Sequence, residues 1–567
     1  MTQGTADRRG RDEGQRPEDL AWRVRTLDPR TAPRRGGARA PAPTAYVADR
    51  LIVSGAQAGA ADLGSLQDVA GRRGWTVEVE EADLADARLL GQADLAGDAR
   101  EALALGSSFA VRLVAARDSV APAPDAWELL EGFRALAGES KLRLSLDHVV
   151  VATPGIGGSP FTDPHPFTDP HPFTDPHPFT DPHPFTDPHP FTDPHPATGL
   201  TEYGVPGWGG RSAVAWVGPR PERRHAAGRS VLQTKDGVAR PVVAVMDTGT
   251  GAHPWLGPDV VLRDPAVLGV PVGPFPVLPP AADPEDGGMA GSPLTGGLDP
   301  AAGHGTFIAG IVHQVCPDAV VLSCRLYGGV GVIAESDLLR GLRRLLLLHV
   351  LGLAGHAGHV PVDVLNLSLG YYHERPEDAL FDSPFGSVLE ALRRQGVAVV
   401  VSAGNHGDPR PLFPAAFAPA VAGSPPAVVP PSQLDDVPPV VSVGALNPDG
   451  TTALFSNDGP WVTCLRPGAA VVSTLPTPTD GSRTASRSLP GARSGEERST
   501  LDPDAFAGGF GVWSGTSFAA PVLAGELAAA LLEARASGAV TTSSLSDPAE
   551  RRAATWAAIT ATTGLSR

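Results

Sequence analysis

Six consecutive copies of Phe-Thr-Asp-Pro-His-Pro fill residues 161–196, and nothing else in the chain restricts its folding as strongly. Proline at two of every six positions removes the backbone donors that a helix or an interior strand needs, so the segment can join neither. A polyproline II spacer is the conformation left to it. The six-residue period is two turns of such a helix, which puts His165, His171, His177, His183, His189 and His195 on one face. At a rise of about 3.1 Å per residue successive imidazoles are about 19 Å apart, too far to share one ion unless the segment folds back. The repeat therefore reads as a linker over 153–200 that separates a smaller N-terminal part from a larger C-terminal one; display of the motif to a partner is the other reading it allows.

Upstream, residues 1–40 are rich in Arg, Gly, Asp and Glu and poor in apolar side chains, the composition of a disordered tail. Between 41 and 152 the pattern is that of a small domain. Strands are expected at Leu51–Val53, Trp75–Val79, Phe109–Val114 and His148–Val151, and helices at Leu66–Arg73 and Asp125–Leu136. Strand, helix, strand, strand, helix, strand is the order of a ferredoxin-like α+β fold, in which the stretch 82–106 has no assigned place.

The C-terminal part, 201–567, alternates apolar β-rich runs with helical patterns: Val242–Met246, Ala319–Cys324, a helix near Ser336–Val350, Val362–Leu367, a helix at Ser387–Gln395, then Val397–Val401. Such alternation predicts an α/β fold, a parallel sheet flanked by helices on both faces. The Pro-rich stretch 264–300 and the Gly/Ser-rich stretch 476–508 read as loops. A formal net charge of −17 with no basic face argues against a nucleic-acid or anionic-membrane partner. Cys316, Cys324 and Cys464 are too few for a disulfide framework and match no zinc spacing, so they read as buried free thiols. The most apolar run, Leu345–Val350, is too short to cross a membrane and follows Arg343 and Arg344. No apolar segment of signal type follows Met1, so a cytoplasmic location is expected; a misassigned start would allow secretion.

Three short segments carry chemistry. Val242–Met246 reads as a buried strand that ends at Asp247-Thr-Gly249, which places a carboxylate at the C-terminal sheet edge where α/β ligands collect. Gly303-His304-Gly305 opens a small-residue helix and lets an imidazole approach a partner closely, so His304 is the candidate general base. Gly515-Thr-Ser517 precedes an Ala-rich helix and sets a hydroxyl where unpaired helix N–H groups point outward, so Ser517 is the candidate nucleophile. Taken alone, that last stretch also reads as an ordinary helix cap. Pro521 fits it only within the first helical turn, where its missing donor costs nothing.

Asp-Thr-Gly at 247–249, His-Gly-Thr with its trailing Ala-Gly at 304–310, and Gly-Thr-Ser-Phe-Ala-Ala-Pro at 515–521 together resemble the active-site motifs of the subtilisin-like serine proteases, in that family's order. Phe518 stands where the family usually has Met and Ile308 where Val is common, and neither is expected to touch a reacting atom. The resemblance implies a serine endopeptidase acting on proteins or peptides through Asp247, His304 and Ser517. Asn405, at the end of the buried-strand pattern Gly396–Asn405, would be its oxyanion donor; taken alone it reads as a turn residue after a strand. Ser368, Leu369 and Gly370 would pair with the substrate backbone and, with Ser402, Ala403 and Gly404, wall the main specificity pocket. It implies no cofactor; calcium is common in the family, but no ligand set is evident. Relatives often carry a propeptide of the topology seen at 41–152, so this domain could dock on the catalytic one, although a plain accessory domain fits the same pattern. His253 and His406 lie near the motifs and read as structural. The competing class is a binding protein that keeps the scaffold without the chemistry, and the complete residue set argues against it.

Overall fold

The computed structural model describes residues 23–152 and 211–566 apart from short stretches within them. The linker repeat, with the readings made on it, lies outside the described residues.

In the N-terminal part, β1 (Val24–Leu27) is followed by β2 (Thr44–Ser54), α1 (Gly64–Gly71), β3 (Trp75–Val79), α2 (Glu81–Gln92), α3 (Gly97–Leu105), β4 (Ser108–Ala115), α4 (Ala126–Leu136) and β5 (Arg143–Ala152). The four long strands are antiparallel in the order β5-β2-β4-β3, around a core of their own built on Leu51, Val53, Phe109, Trp127 and Phe133. Two expectations need correction. Residues 24–27, placed above in a disordered tail, form β1 and pair with Thr44–Val47, because Leu27 joins that core and Arg25 pairs with Asp125. The stretch 82–106 is α2 and α3, and both pack against the C-terminal part through Leu89 and Leu103.

The C-terminal part runs β6 (Val242–Asp247), β7 (Val261–Arg263), α5 (His304–Val315), β8 (Val320–Arg325), β9 (Val332–Ala334), α6 (Glu335–Leu353), β10 (Val364–Leu367), β11 (Leu369–Tyr372), α7 (Pro384–Arg394), β12 (Ala398–Ser402), β13 (Leu412–Phe413), β14 (Val440–Leu446), β15 (Cys464–Pro467), β16 (Phe510–Trp513), α8 (Thr516–Ala536) and α9 (Pro548–Thr563), with short hairpins between. Seven of these strands form a parallel sheet in the order β15-β14-β12-β10-β6-β8-β7. Its strands read as unbroken apolar runs because both faces are covered. Along β6, Val242, Ala244 and Met246 turn to the side of α6 and α7, while Val243 and Val245 turn to α5 and α8. Helix α8 is long and apolar enough to span a bilayer by length and composition, yet most of it is buried in this second core. Cys316 and Cys324 are buried, while Cys464, expected to be buried, is half-buried; burial pushes the Cys316 and Cys464 thiols up to about 11.

At the N-terminal edge of the sheet, Asp363 accepts from the Val242 N–H at 2.9 Å and binds Arg535 of α8 at 2.5 Å and Arg551 of α9 at 2.9 Å. Burial alone would push its carboxyl up, but the two guanidiniums hold it down to about 2. A depressed carboxyl contributes stability that is present above its unfolded value and lost as pH falls through the folded one. About 2 kcal/mol should therefore disappear between about pH 4 and pH 2. Urea unfolding across that range checks this, and Asp363→Asn should flatten the slope.

The two parts share a sheet. The end of β5 lies antiparallel between β9 and β11, with Val149, Val150 and Val151 opposite Ala334, Ile333 and Val332 on one side. On the other side Val151 and Ala152 lie opposite Gly370 and Leu369. The Ala152 N–H adds a hydrogen bond to the Gly331 carbonyl at 2.7 Å. Just before this strand end, Asp147 accepts from the Ser336 backbone N–H (2.9 Å) and hydroxyl (2.8 Å), capping α6 from the other domain where its own N-cap, Ala334, offers no side-chain acceptor. His148 is fully buried between Glu335 (2.6 Å) and Glu374 (2.7 Å). Arg343 and Arg344 of α6 complete the joint with Asp83 (2.6 Å) and Asp86 (2.8 Å) of α2.

Candidate active site

Asp247 is the last residue of β6 and His304 the first of α5, as their motifs predicted. His304 Nδ1 lies 2.8 Å from Asp247 Oδ1, with both side chains buried. Gly305 makes this approach possible: a Cβ there would sit 2.1 Å from the Gly249 carbonyl oxygen. Asp247 is held on every side. Its Oδ1 also accepts from the Thr248 N–H at 2.8 Å, and its Oδ2 from the Tyr327 hydroxyl at 2.7 Å. Burial, then Asp247 itself, pushes the Tyr327 phenol well above its ordinary range, so it remains a donor.

Ser517 is the second residue of α8, buried, and Gly515 before it has φ 155° and ψ 152°, a conformation open to glycine. The imidazole of His304 is walled by Trp513 and Phe518, whose ring centroids lie 5.7 and 5.4 Å away. Phe518 thus packs on the ring of the candidate base. His304 Nε2 is buried and makes no hydrogen bond, so the contact from imidazole to serine is not closed in this conformation. Catalytic hydrogen bonds often tighten only when substrate is present.

Pro521 is a further correction, for it lies at the sixth residue of α8, beyond the first turn. A proline there removes the donor owed to the carbonyl four residues earlier, which is that of Ser517. The Ser368 hydroxyl fills the place, donating to the Ser517 carbonyl at 3.0 Å, and Asn366 Nδ2 donates in turn to Ser368 Oγ at 3.1 Å. Ser368, expected at the substrate backbone and the pocket wall, here finishes the nucleophile's helix.

Asn405 follows β12 and is buried. The Thr516 N–H and hydroxyl both donate to its side-chain oxygen at 2.8 Å, which orients the amide and turns its NH₂ away from Thr516. Ser402 and Ala403 are buried beneath it, and the Gly404 N–H donates to Thr516 Oγ1 at 3.0 Å. Leu369 and Gly370 form the strand that β5 meets. His253 and His406 stand aside: His253 accepts from the Trp255 N–H at 3.0 Å and packs on Phe510, and His406 packs on Tyr372.

Thr248 and Thr516 sit inside the quoted motifs, yet nothing in a motif marks them as the residues that hold the carboxylate and the amide. Tyr327 follows β8, and the strand-edge logic that found Asp247 would also have reached it. Glu285, buried beside Asp247 and His304, lies in the Pro-rich loop and carries no sequence signal. Burial pushes its carboxyl up to about 7.

Two groups of residues among those described could hold a metal ion. His148, His373 and Glu374 bring their ligand atoms within 4.8 Å of one another, but His148 and Glu374 are already engaged in the ion pairs that join the domains. Asp480, Asp502 and Asp504 offer three carboxylates, short of the about six to eight oxygens calcium takes, and no ion is assigned to them.

The model of the Subtilase family (Peptidase S8) matches residues 239–563, which hold all four candidate catalytic residues. The chain belongs to the subtilase family. Its fold, a seven-stranded parallel sheet between helical layers with an antiparallel α+β region before it, is subtilisin-like. Over 263 residues the chain is 29% identical to mycosin-1 of Mycobacterium tuberculosis, covering 41% of this chain and 50% of that protein. Over 246 residues it is 26% identical to Subtilisin Savinase of Lederbergia lenta, covering 41% of this chain and 66% of that one. The chain thus spans half to two thirds of the length of these relatives. Among solved structures, fervidolysin from Fervidobacterium pennivorans, a keratinolytic enzyme, aligns over 88% of this chain and 56% of its own at 14% identity and a TM-score of 0.40. Subtilases as a family are serine peptidases.

Proposed function

We propose that this subtilase is an endopeptidase that cleaves extended protein segments through Asp247, His304 and Ser517, and that its N-terminal domain occupies the substrate groove. The hydrogen bond between His304 and Asp247, with Phe518, the residue after Ser517, packed on the imidazole, supports the first half. Asp247 holds the proton on Nδ1 of His304, which keeps Nε2 as the free base. Nε2 takes the proton of Ser517 as Oγ attacks the peptide carbonyl, and the oxyanion meets the Asn405 amide and the Ser517 N–H. His304 then protonates the departing amine, and water reverses the sequence on the acyl-enzyme. Ser368, Leu369 and Gly370 would align the substrate backbone, and Ser402, Ala403 and Gly404 would line the main pocket.

The second half is supported by β5, which enters the gap between β9 and β11 as an extended substrate would, and whose end at Ala152 lies beside Leu369, next to Ser368. The domain at 41–152 is then a folding aid and inhibitor rather than a neutral accessory. N-terminal sequencing of the incubated full chain tests both halves. Cleavage within 153–240, accompanied by labelling of Ser517 with a fluorophosphonate, is expected. A chain that stays intact and labels at another serine, or at none, would defeat the reading.

Asn405→Ala should lower kcat about 100- to 1,000-fold with KM little changed, because its donor acts on charge that exists only in the transition state; the size is one known for subtilisin. Steady-state kinetics on a peptide amide checks it.

A further inference from the structure

We propose that Glu285 is a positioning residue of the triad, a carboxyl brace that ties the backbone after Asp247 to the first turn of α5 and decides which carboxylate receives the hydroxyl proton of Thr248. The inference rests on the triad reading above and concerns a residue outside the three motifs.

Glu285 is 3% exposed and its partners are the direct neighbours of the two catalytic candidates. Oε1 accepts from the Thr248 hydroxyl and, at 3.2 Å, from the Gly305 N–H; Oε2 accepts from the Thr306 hydroxyl. Thr248 follows Asp247, while Gly305 and Thr306 follow His304, so one side chain fastens both segments. The loop that carries it is itself anchored. Asp283 accepts from the Glu285 N–H at 2.9 Å and binds Arg325 of β8 through both oxygens at 2.9 Å, and the Gly303 N–H donates to the Pro284 carbonyl at 2.8 Å.

Thr248 is the point of control. Its oxygen accepts from the Gly305 N–H at 2.8 Å, and its single hydroxyl proton can reach either Glu285 or Asp247 Oδ1, the latter at 3.1 Å. With Glu285 ionised, the Thr248 O–H donates to Glu285, and Asp247 Oδ1 keeps its side-chain bond to His304 alone. Once Glu285 is protonated, its own O–H can donate to Thr248, whose proton then turns to Oδ1 and competes with His304 there. The imidazolium formed as Ser517 attacks is then held less well. The charged groups around Glu285 act in both directions: Asp247 disfavours its ionised form, whereas Arg325, Arg211 and Arg263 favour it, with Tyr327 neutral beside them. Burial, the largest influence, sets the change near neutral pH.

The test uses the full chain with Glu285→Gln and Glu285→Ala, followed by the downfield NMR resonance of the His304 Nδ1–H and by kcat and KM on a peptide amide from pH 5 to 9. In the parent, the resonance and kcat should share a step near neutral pH. Glu285→Gln should move that step, and Glu285→Ala should lower kcat about 10- to 100-fold with KM little changed, as expected for a misplaced catalytic group. A Glu285→Gln protein with the parent resonance and the parent pH profile overturns the brace. Should both variants fail to fold, Thr248→Val must move the resonance in their place, and an unmoved resonance again overturns it. The resonance needs no turnover, so failure of hydrolysis in the parent would strike the triad reading and leave the brace to be judged by NMR.

Discussion

Ser517→Ala is expected to abolish peptide hydrolysis, self-cleavage and fluorophosphonate labelling together while leaving the fold intact. Loss of the nucleophile in subtilisin lowers kcat by about a million-fold, a size taken from that relative rather than from this site. What survives comes from the oxyanion donors and substrate binding. Ser517 is fully buried, alanine fits its volume and is the better helix former, and the contact from Ser368 reaches the backbone carbonyl, which the substitution keeps. Thermal unfolding should therefore match the parent. Undiminished turnover in Ser517→Ala would remove the serine mechanism; a large drop in stability would show that the hydroxyl is structural.

His148→Ala is expected to loosen the N-terminal domain from the catalytic one. The imidazole is buried between Glu335 and Glu374, and its removal takes the shared partner from both carboxylates, leaving Glu374 with His373 at 3.3 Å and Arg134 at 3.8 Å. Removing one partner of a buried ion pair costs about 3–5 kcal/mol, which is a few hundred- to a few thousand-fold in docking. Burial alone would push the imidazole down, yet the two carboxylates outweigh it and raise it to about 10. A raised histidine stabilises fully below its unfolded value and loses that contribution as pH rises through the folded one. Docking should hold at pH 6 and weaken towards pH 10. Titrating the separated chain halves after self-cleavage, by inhibition of peptide hydrolysis, measures both effects. Equal affinity for parent and variant across that range would mean that β5 alone holds the domain.

The catalytic candidates were legible because each sits where one element ends and another begins, and local residue types mark such junctions. Asp247 closes an apolar run and His304 opens a helix between glycines. Pro521 could not be placed, because the start of α8 is set at Gly515 while the carbonyl the proline strands is rescued by Ser368, 149 residues away. Glu285 and His148 were invisible for the same reason: neither has a local pattern, and each takes its meaning from groups that other segments deliver. The small domain's strands could be read from their alternation, but not the pairing of β5 with β9 and β11, which joins segments far apart in the chain, such as Val151 with Val332 and with Gly370. Residues 24–27 were hidden by charged neighbours, since a single leucine is a weak signal.

A strand seated between two neighbours has both of its own edges taken. Whatever replaces Val149–Ala152 between β9 and β11 must therefore arrive with both rows of amides bare. A strand inside a client's sheet has none free, and one at the rim has only one. The groove would thus sort proteins by how readily they come apart, so that digestion follows the opening rate of the client more closely than its sequence.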